Sequence, residues 1–280
     1  MLLRLRLRSV EPREKAKHGP RRGRVLSRRE ERLLRSLRQR KAREAEGLFL
    51  VEGVRAVEDL LESSLSIHLA VASSSLGDTP RGRALLSALD ARGVAVRETG
   101  ERELAALADT ETPQGILAVA PIPSAGVDAL RMDGPDPAVV LVLDAVQDPG
   151  NFGTLARTAE ALGAVGLVAL PGTVDPWNPK SVRASMGSTF RLPVVEAGWD
   201  ELAPFLRRHG AETLAAVVGG APLGEDRPRR AALVLGNEGA GVGDETRTRA
   251  DRAVGIPLRG RAESLNVAAA GAILLHELLR

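Results

Sequence analysis

Apolar and polar positions alternate in blocks along most of the chain, and the block lengths predict a repeated strand and helix order. Ser27 with Glu30 three residues on is a capping box. It opens a helix through about Ala45, with Leu33, Leu34 and Leu37 on one side. Short apolar runs predict strands at Leu48–Val51, Ile67–Ala72, Val94–Arg97 and Ile116–Val119. Between them, helical spacing predicts helices over Val54–Glu62, Arg81–Ala91 and Glu101–Ala108. Residues 24–120 therefore read as a small α/β sandwich. The stretch PIPSAGVDALRMDGPDP at 121–137 is rich in Pro, Gly and Asp and reads as a linker.

Residues 138–280 form a second alternating unit. Ala138–Leu143 is apolar without interruption, as in a parallel strand covered on both faces. Further strands are predicted at Gly166–Leu170, Leu192–Val195, Leu214–Val218, Ala232–Leu235 and Ala253–Ile256. Helices are predicted at Phe152–Leu162, Lys180–Ser188, Glu201–His209 and Ser264–Leu279. The fold class is α/β with a mostly parallel sheet, preceded by the smaller domain. Ahead of both, residues 1–23 read as a basic flexible arm. Leu2 to Arg8 alternates as a lone edge strand would, but Pro12, Gly19, Pro20 and Gly23 argue for disorder.

Charge sharpens this division. Residues 1–44 hold 17 Lys+Arg against five Glu, a net of +12, whereas the rest hold 22 against 31 Asp+Glu, a net of −9. Such segregation indicates a polyanion-binding arm on an acidic body, with a merely solvated tail as the alternative. An Arg-rich start also resembles a transit peptide, but Glu11 and Glu14, with Ser9 the only hydroxyl, argue against one. No apolar run approaches the ~18–20 residues of a membrane span. The expectation is a cytoplasmic protein with no membrane partner.

There are no cysteines, which excludes disulfides, thiolate metal sites and cysteine nucleophiles. The four histidines show no metal-ligand spacing, so no metal is expected. Six aromatic residues and no tyrosine leave too few rings for RNA binding by base stacking. A Rossmann loop would carry GxGxxG where this chain has Gly150-Asn151-Phe152-Gly153, and no Gly is followed by Lys as a Walker A loop requires.

Ligands of an open parallel sheet collect beyond the carboxyl ends of its strands. Three strands here lead into loops dense with Gly and polar residues. They are DAVQDPGNFGTLARTAEALGA (144–164), LVLGNEGAGVG (233–243) and IPLRGRAESLNVAAAGAILLHEL (256–278).

Together the three loops resemble the motifs of the SpoU/TrmH branch of the SPOUT RNA methyltransferases. The first is similar to D-x-V-x-D-P-x-N-x-G-x-x-x-R-T-A, at Asp144, Val146, Asp148, Pro149, Asn151, Gly153, Arg157, Thr158 and Ala159. The second is similar to the glycine loop L-G-N/S-E-G-x-G at Leu235–Gly239 and Gly241. The third is similar to I-P-x-x-G…S-L-N-V-A at Ile256, Pro257, Gly260, Ser264, Leu265, Asn266, Val267 and Ala268. The stretch VRASMGSTFRLPV (182–194) also resembles the family. Residues 48–120, with FLVEGVRAVEDLL near their start, resemble less strongly its ribosomal-protein-like substrate-binding domain.

The resemblance implies a trefoil-knotted catalytic domain, the cofactor S-adenosylmethionine (S-adenosyl-L-methionine), a homodimer, and methyl transfer to a ribose 2′-hydroxyl of structured RNA. It places cofactor contacts at Leu235, Gly236, Asn237, Gly239, Ile256, Leu258, Ser264 and Leu265. By pattern alone Ile256 and Leu265 read as core and Gly236 as a turn glycine. It places catalytic roles at Asn151, Arg157, Glu238, Ser264 and Asn266. A guanidinium is a poor base, so Arg157 suits gripping a phosphate and orienting the hydroxyl. Asn151 and Ser264 also read as helix caps. Because a substrate domain precedes the catalytic one, ribosomal RNA (23S-type) is expected before tRNA. A tRNA guanosine 2′-O-methyltransferase, a non-catalytic ribosome-assembly factor and an oxidoreductase are the rivals.

Overall fold

The computed structural model describes residues 24–134 and 137–280; the expected arm, with its Leu2–Arg8 alternation, lies outside them. The first unit runs β1 (Arg24–Val25), α1 (Arg28–Ser36), α2 (Arg40–Glu46), β2 (Leu48–Glu52), α3 (Val54–Glu62), β3 (Leu69–Ser73), α4 (Pro80–Ala91), β4 (Val96–Thr99), α5 (Glu101–Leu107) and β5 (Ile116–Pro121). Its sheet has the order β1-β4-β3-β5-β2. β5 pairs antiparallel with both β3 and β2, and the other pairs are parallel.

The capping box forms as expected: Ser27 Oγ accepts from Glu30 N at 3.2 Å and Ser27 N donates to Glu30 Oε2 at 2.9 Å. The helix it opens is shorter than predicted. It stops at Ser36, and α2 restarts after Gln39, which is extended. The break lets Arg43 turn inward, where its Nη1 donates to Leu37 O at 2.7 Å.

The second unit runs β6 (Ala138–Asp144), α6 (Pro149–Leu162), β7 (Gly166–Ala169), α7 (Pro179–Ala184), β8 (Val194–Glu196), α8 (Trp199–Arg208), β9 (Glu212–Ala221), β10 (Arg230–Gly236), α9 (Asp244–Arg249), β11 (Arg252–Val254) and α10 (Val267–Leu279). The sheet order is β11-β9-β10-β6-β7-β8, and every pair is parallel. The expected mixed α/β fold with a mostly parallel second sheet is therefore present.

β6 lies inside this sheet, and its run Ala138–Leu143 is buried throughout, as parallel strands with helices on both faces must be. β9 runs past its predicted end. Beyond Ala215 it leaves the ladder, and the β11 register jumps so that Val254 faces Ala221. A Cβ on Gly220 would lie 2.4 Å from Val254 C, so only glycine permits that crossing. From β11 at the sheet edge, residues 255–266 return to α10, which packs on α6, β10 and β6.

The two units share one apolar core. Phe49 of β2 stacks on Trp177 (ring centroids 4.7 Å) and faces Phe190 (6.0 Å). Arg43 Nε donates to Asp175 Oδ2 at 2.9 Å, its Nη2 contacts the same oxygen more closely, and both side chains are buried. Asp109 pairs with Arg183 at 3.3 Å and Asp59 with Arg191 at 3.8 Å. Every one of these contacts lands on residues 175–191 of the second unit. The stretch predicted as a linker carries a short 3-10 turn at Val127–Ala129, and Leu130 and Met132 are buried in the core formed by β6–β10 and α8. Among the described residues no helix is long and apolar enough to cross a membrane.

Candidate active site

The first loop begins where β6 ends. Ala145 takes a left-handed conformation (φ 58°), one of two non-glycine residues described that do so. Asp148, not Asn151, caps α6: its carboxylate accepts from Asn151 N at 2.7 Å. Pro149 at the first helical position sets that start, because its fixed φ suits the first turn. Asn151 thus sits at the third helical position with its side chain free for other work.

That side chain joins the three motifs. Asn266 caps α10, its Oδ1 accepting from Ala268 N at 2.9 Å and Ala269 N at 3.3 Å. The cap fixes which end of the amide faces outward, so Asn266 Nδ2 donates to Asn151 Oδ1 at 3.0 Å. Asn151 Nδ2 then donates to Glu238 Oε1 at 3.0 Å. Glu238 also accepts from Gln147 N at 3.2 Å and Asp148 N at 3.1 Å. Partial burial pushes the Glu238 carboxyl up, but the Asn151 amide and the backbone N–H groups outweigh it and hold it below the usual carboxylate range. The chain of donors therefore ends on a carboxylate that stays ionised at neutral pH.

The glycine loop is held by its own residues. Asn237 N and O pair with Gly241 O and N at 2.9 Å each. Its Oδ1 accepts from Gly239 N and Ala240 N, and its Nδ2 donates to Ala145 O at 2.9 Å. The Asn237 side chain is thus occupied in shaping the loop. A Cβ on Gly236 would lie 2.1 Å from Gly241 C, so the closure requires glycine there. The far end of the loop is tied to Asp144, whose Oδ2 accepts from Gly243 N at 2.7 Å and Thr246 Oγ1 at 2.6 Å. The sequence places Asp144 in the first motif but gives it no role, and predicts no element over α9.

The other expected residues divide by exposure. The Leu235 side chain is buried, so only its backbone can meet a ligand. Gly239, Ser264 and Asn266 are exposed, and Ile256 is half-buried. Leu258 (37% exposed) and Leu265 (39%) present apolar surface to solvent. Ser264 is not the cap of α10; the helix begins three residues later than predicted, because Asn266 takes that role.

Arg157 stands apart from the network. Six residues at about 100° each carry it roughly 120° around α6 from Asn151. Its Nη1 donates to Met186 Sδ at 3.0 Å.

Comparison with known proteins bears on both units. Residues 138–276 match the model of the SpoU rRNA methylase family, and residues 32–118 match that of the MRM3-like substrate-binding domain. The chain is 37% identical to a 23S rRNA (guanosine(2553)-2′-O)-methyltransferase of Bacillus subtilis, covering 86% of this chain and 92% of that protein. It is 31% identical to a 23S rRNA (uridine(2479)-2′-O)-methyltransferase of Streptomyces viridochromogenes, over 87% and 86%. A solved AdoMet-bound rRNA methyltransferase of Sinorhizobium meliloti superposes with a TM-score of 0.78 at 29% identity, over 91% of this chain and 96% of that one. The SpoU methyltransferase AviRb of Streptomyces viridochromogenes, also bound to AdoMet, gives 0.80 at 29%, over 90% and 97%. On motif, fold and relatives alike, the chain belongs to the SpoU rRNA methylase family.

Proposed function

We propose that this protein transfers a methyl group from S-adenosylmethionine to a ribose 2′-hydroxyl of 23S-type ribosomal RNA, in the cytoplasm and as a homodimer. The observation that carries the reading is the hydrogen-bonded run Asn266–Asn151–Glu238, which locks the three motif loops together at the carboxyl edge of the parallel sheet. The relatives named above as 23S rRNA enzymes align over both units, which favours ribosomal RNA over tRNA. The homodimer rests on the family resemblance, supported by Ile273, which α10 leaves 42% exposed on its outer face.

The residues present fit the cofactor. Leu258, Leu265 and Ile256 offer an apolar surface for a purine, and the backbone of Gly239 lies open beside the ordered Asn237 turn. Gly260 has open space where a Cβ would sit, so a ligand can approach its backbone closely. Bound there, S-adenosylmethionine supplies an electrophilic methyl group. The chain's own task is alignment, since an in-line displacement gains chiefly from fixed geometry. Asn151 and Asn266, each with its amide orientation set by a neighbour, hold the substrate ribose. Glu238 anchors Asn151 and keeps the run polarised. Ser264, unpaired and exposed, is free to meet the ribose or the cofactor. Arg157 grips a substrate phosphate with its fork of donors and orients the hydroxyl. The return of residues 255–266 is the threaded segment of the implied knot.

The test has two arms. S-adenosylhomocysteine should raise the melting temperature of the full chain by mass action, and NADH should not. Maps of 2′-O-methyl groups on ribosomal and transfer RNA, from cells with and without the gene, should differ at a 23S-type position. Arg157→Ala should reduce methyl transfer by orders of magnitude while cofactor binding survives. A shift with NADH alone, or maps that differ only in tRNA, would overturn the proposal.

A further inference from the structure

Met186 is the second non-glycine residue described in the left-handed region, with φ 49°. Such a conformation persists only where the surroundings enforce it. Here they do. Ser185 before it is fully buried, and its hydroxyl donates to Val182 O at 2.7 Å and meets Thr189 Oγ1 at 3.0 Å. Gly187 after it (φ 83°) is pressed against α3, where a Cβ would lie 2.8 Å from Asp59 Cβ. Met186 alone points out of this packed turn, 39% exposed, and its sulfur receives the Arg157 guanidinium at 3.0 Å.

The choice of acceptor matters. Three arginines lie along the seam between α6 and residues 179–191. Arg191 is held by Glu160 at 3.0 Å and Arg183 by Asp109 at 3.3 Å. Arg157 alone meets a thioether, which is a weak acceptor on an unbranched, adaptable side chain. A carboxylate there would compete with an RNA phosphate for the same fork of donors. A thioether orders the guanidinium yet releases it.

We propose that Met186 is a positioning residue for methyl transfer: its strained turn presents the thioether that holds Arg157 ready, and gives it up when RNA phosphate arrives. The turn is also where the first unit docks, through Asp59 against Gly187 and Arg191. The RNA-binding unit therefore bears directly on the turn that aims Arg157. This inference rests on the reading of Arg157 as the residue that grips substrate phosphate.

The experiment compares Met186→Leu and Met186→Glu with the parent, each alone and combined with Arg157→Ala. The readouts are kcat and KM on unmodified 23S rRNA transcript, S-adenosylhomocysteine affinity, and melting temperature. Leu keeps the bulk but no longer orders the guanidinium, so RNA must fix that side chain itself and KM for RNA should rise roughly two- to tenfold, the cost of ordering one free side chain on binding. Glu should lower kcat/KM further, because its carboxylate retains the guanidinium. Neither should change S-adenosylhomocysteine affinity, and neither should alter the residual activity left by Arg157→Ala. Should the Glu variant fail to fold, Met186→Gln replaces it. Parent-like kinetics in both single variants would overturn the proposal, as would effects that persist without Arg157. Full activity of Arg157→Ala would instead sink the phosphate-grip reading itself, and this proposal with it.

Discussion

Replacing Glu238 by Gln removes one charge and exchanges one acceptor for a donor. In the parent, Oε1 accepts from Asn151 Nδ2 and Asp148 N, while Oε2 accepts from Gln147 N. The least costly glutamine rotamer keeps its oxygen at the Oε1 place and turns its NH2 toward Gln147 N–H. That leaves one donor facing another, and it weakens two charge-assisted bonds to neutral ones. Fully buried, bonds to a charged group contribute about 1.5–3 kcal/mol each. Glu238 is exposed, so water takes up much of the loss, and the net cost falls to about 1 kcal/mol. For a chain of this length that lowers the melting temperature by roughly 2–4 °C.

The effect has a pH signature. The folded-state pKa of Glu238 lies below its ordinary value of 4.5. Its stabilisation is therefore complete above that value and is lost as pH falls through the lowered one. The gap between parent and variant should be full at neutral pH and close in acid. Melts recorded from about pH 7 to about pH 3.5 read this directly. Methyl transfer should fall on the order of 10- to 100-fold as Asn151 loses its anchor. No stability gap at neutral pH, or one that persists unchanged in acid, would refute the carboxylate as the end of the donor run.

Arg43→Ala strands the buried Asp175 carboxylate and should cost about 3–5 kcal/mol in urea unfolding; a loss below about 1 kcal/mol would show the pair to be idle. Burial, with the Asp175 and Glu44 charges beside it, raises the Glu196 carboxyl against the pull of Arg40. A raised folded pKa means stability lost as pH rises through it, so Glu196→Gln should melt higher than the parent at neutral pH and no higher in acid. Deleting residues 1–23 removes eight Lys+Arg against two Glu. RNA binding should weaken at low salt, and log affinity should depend less steeply on log salt; an unchanged slope leaves the arm without a role.

What the sequence displayed followed from how local each cause is. The uninterrupted run at 138–143 announced a central parallel strand, and glycines at fixed spacing announced the loops beyond three strand ends. Pro149 could have moved the cap from Asn151 to Asp148, and Gly243 followed by Asp244 and Glu245 could have shown α9. The 100° step of a helix could have separated Arg157 from Asn151. Other features have no local cause. The α1–α2 break at Leu37 contains no Gly or Pro, and it serves Asp175, far away in the chain. The left-handed Met186 is imposed by packing on both sides. Burial of Phe49 was readable, but that Trp177 and Phe190 cover it was not, because pattern shows that a side chain is hidden and not by what.

The buried pair of Arg43 and Asp175 sets a timetable for synthesis. The two residues are 132 positions apart. At the usual ~5–20 residues per second, a ribosome delivers Asp175 about 7–26 s after Arg43. Once β5 ends at Pro121, with Asp175 still 54 residues away, β1 to β5 are all in hand and the first unit can pair its own strands. Yet Phe49 has no ring to stack on, and the Arg43 guanidinium cannot leave water. The nascent first unit thus waits with one apolar face and one cation uncovered, beside the polyanion that is making it. Its docking surface is completed only when residues 175–191 emerge, so the order of the chain delays assembly of the Met186 turn until the strands of the first unit are already built.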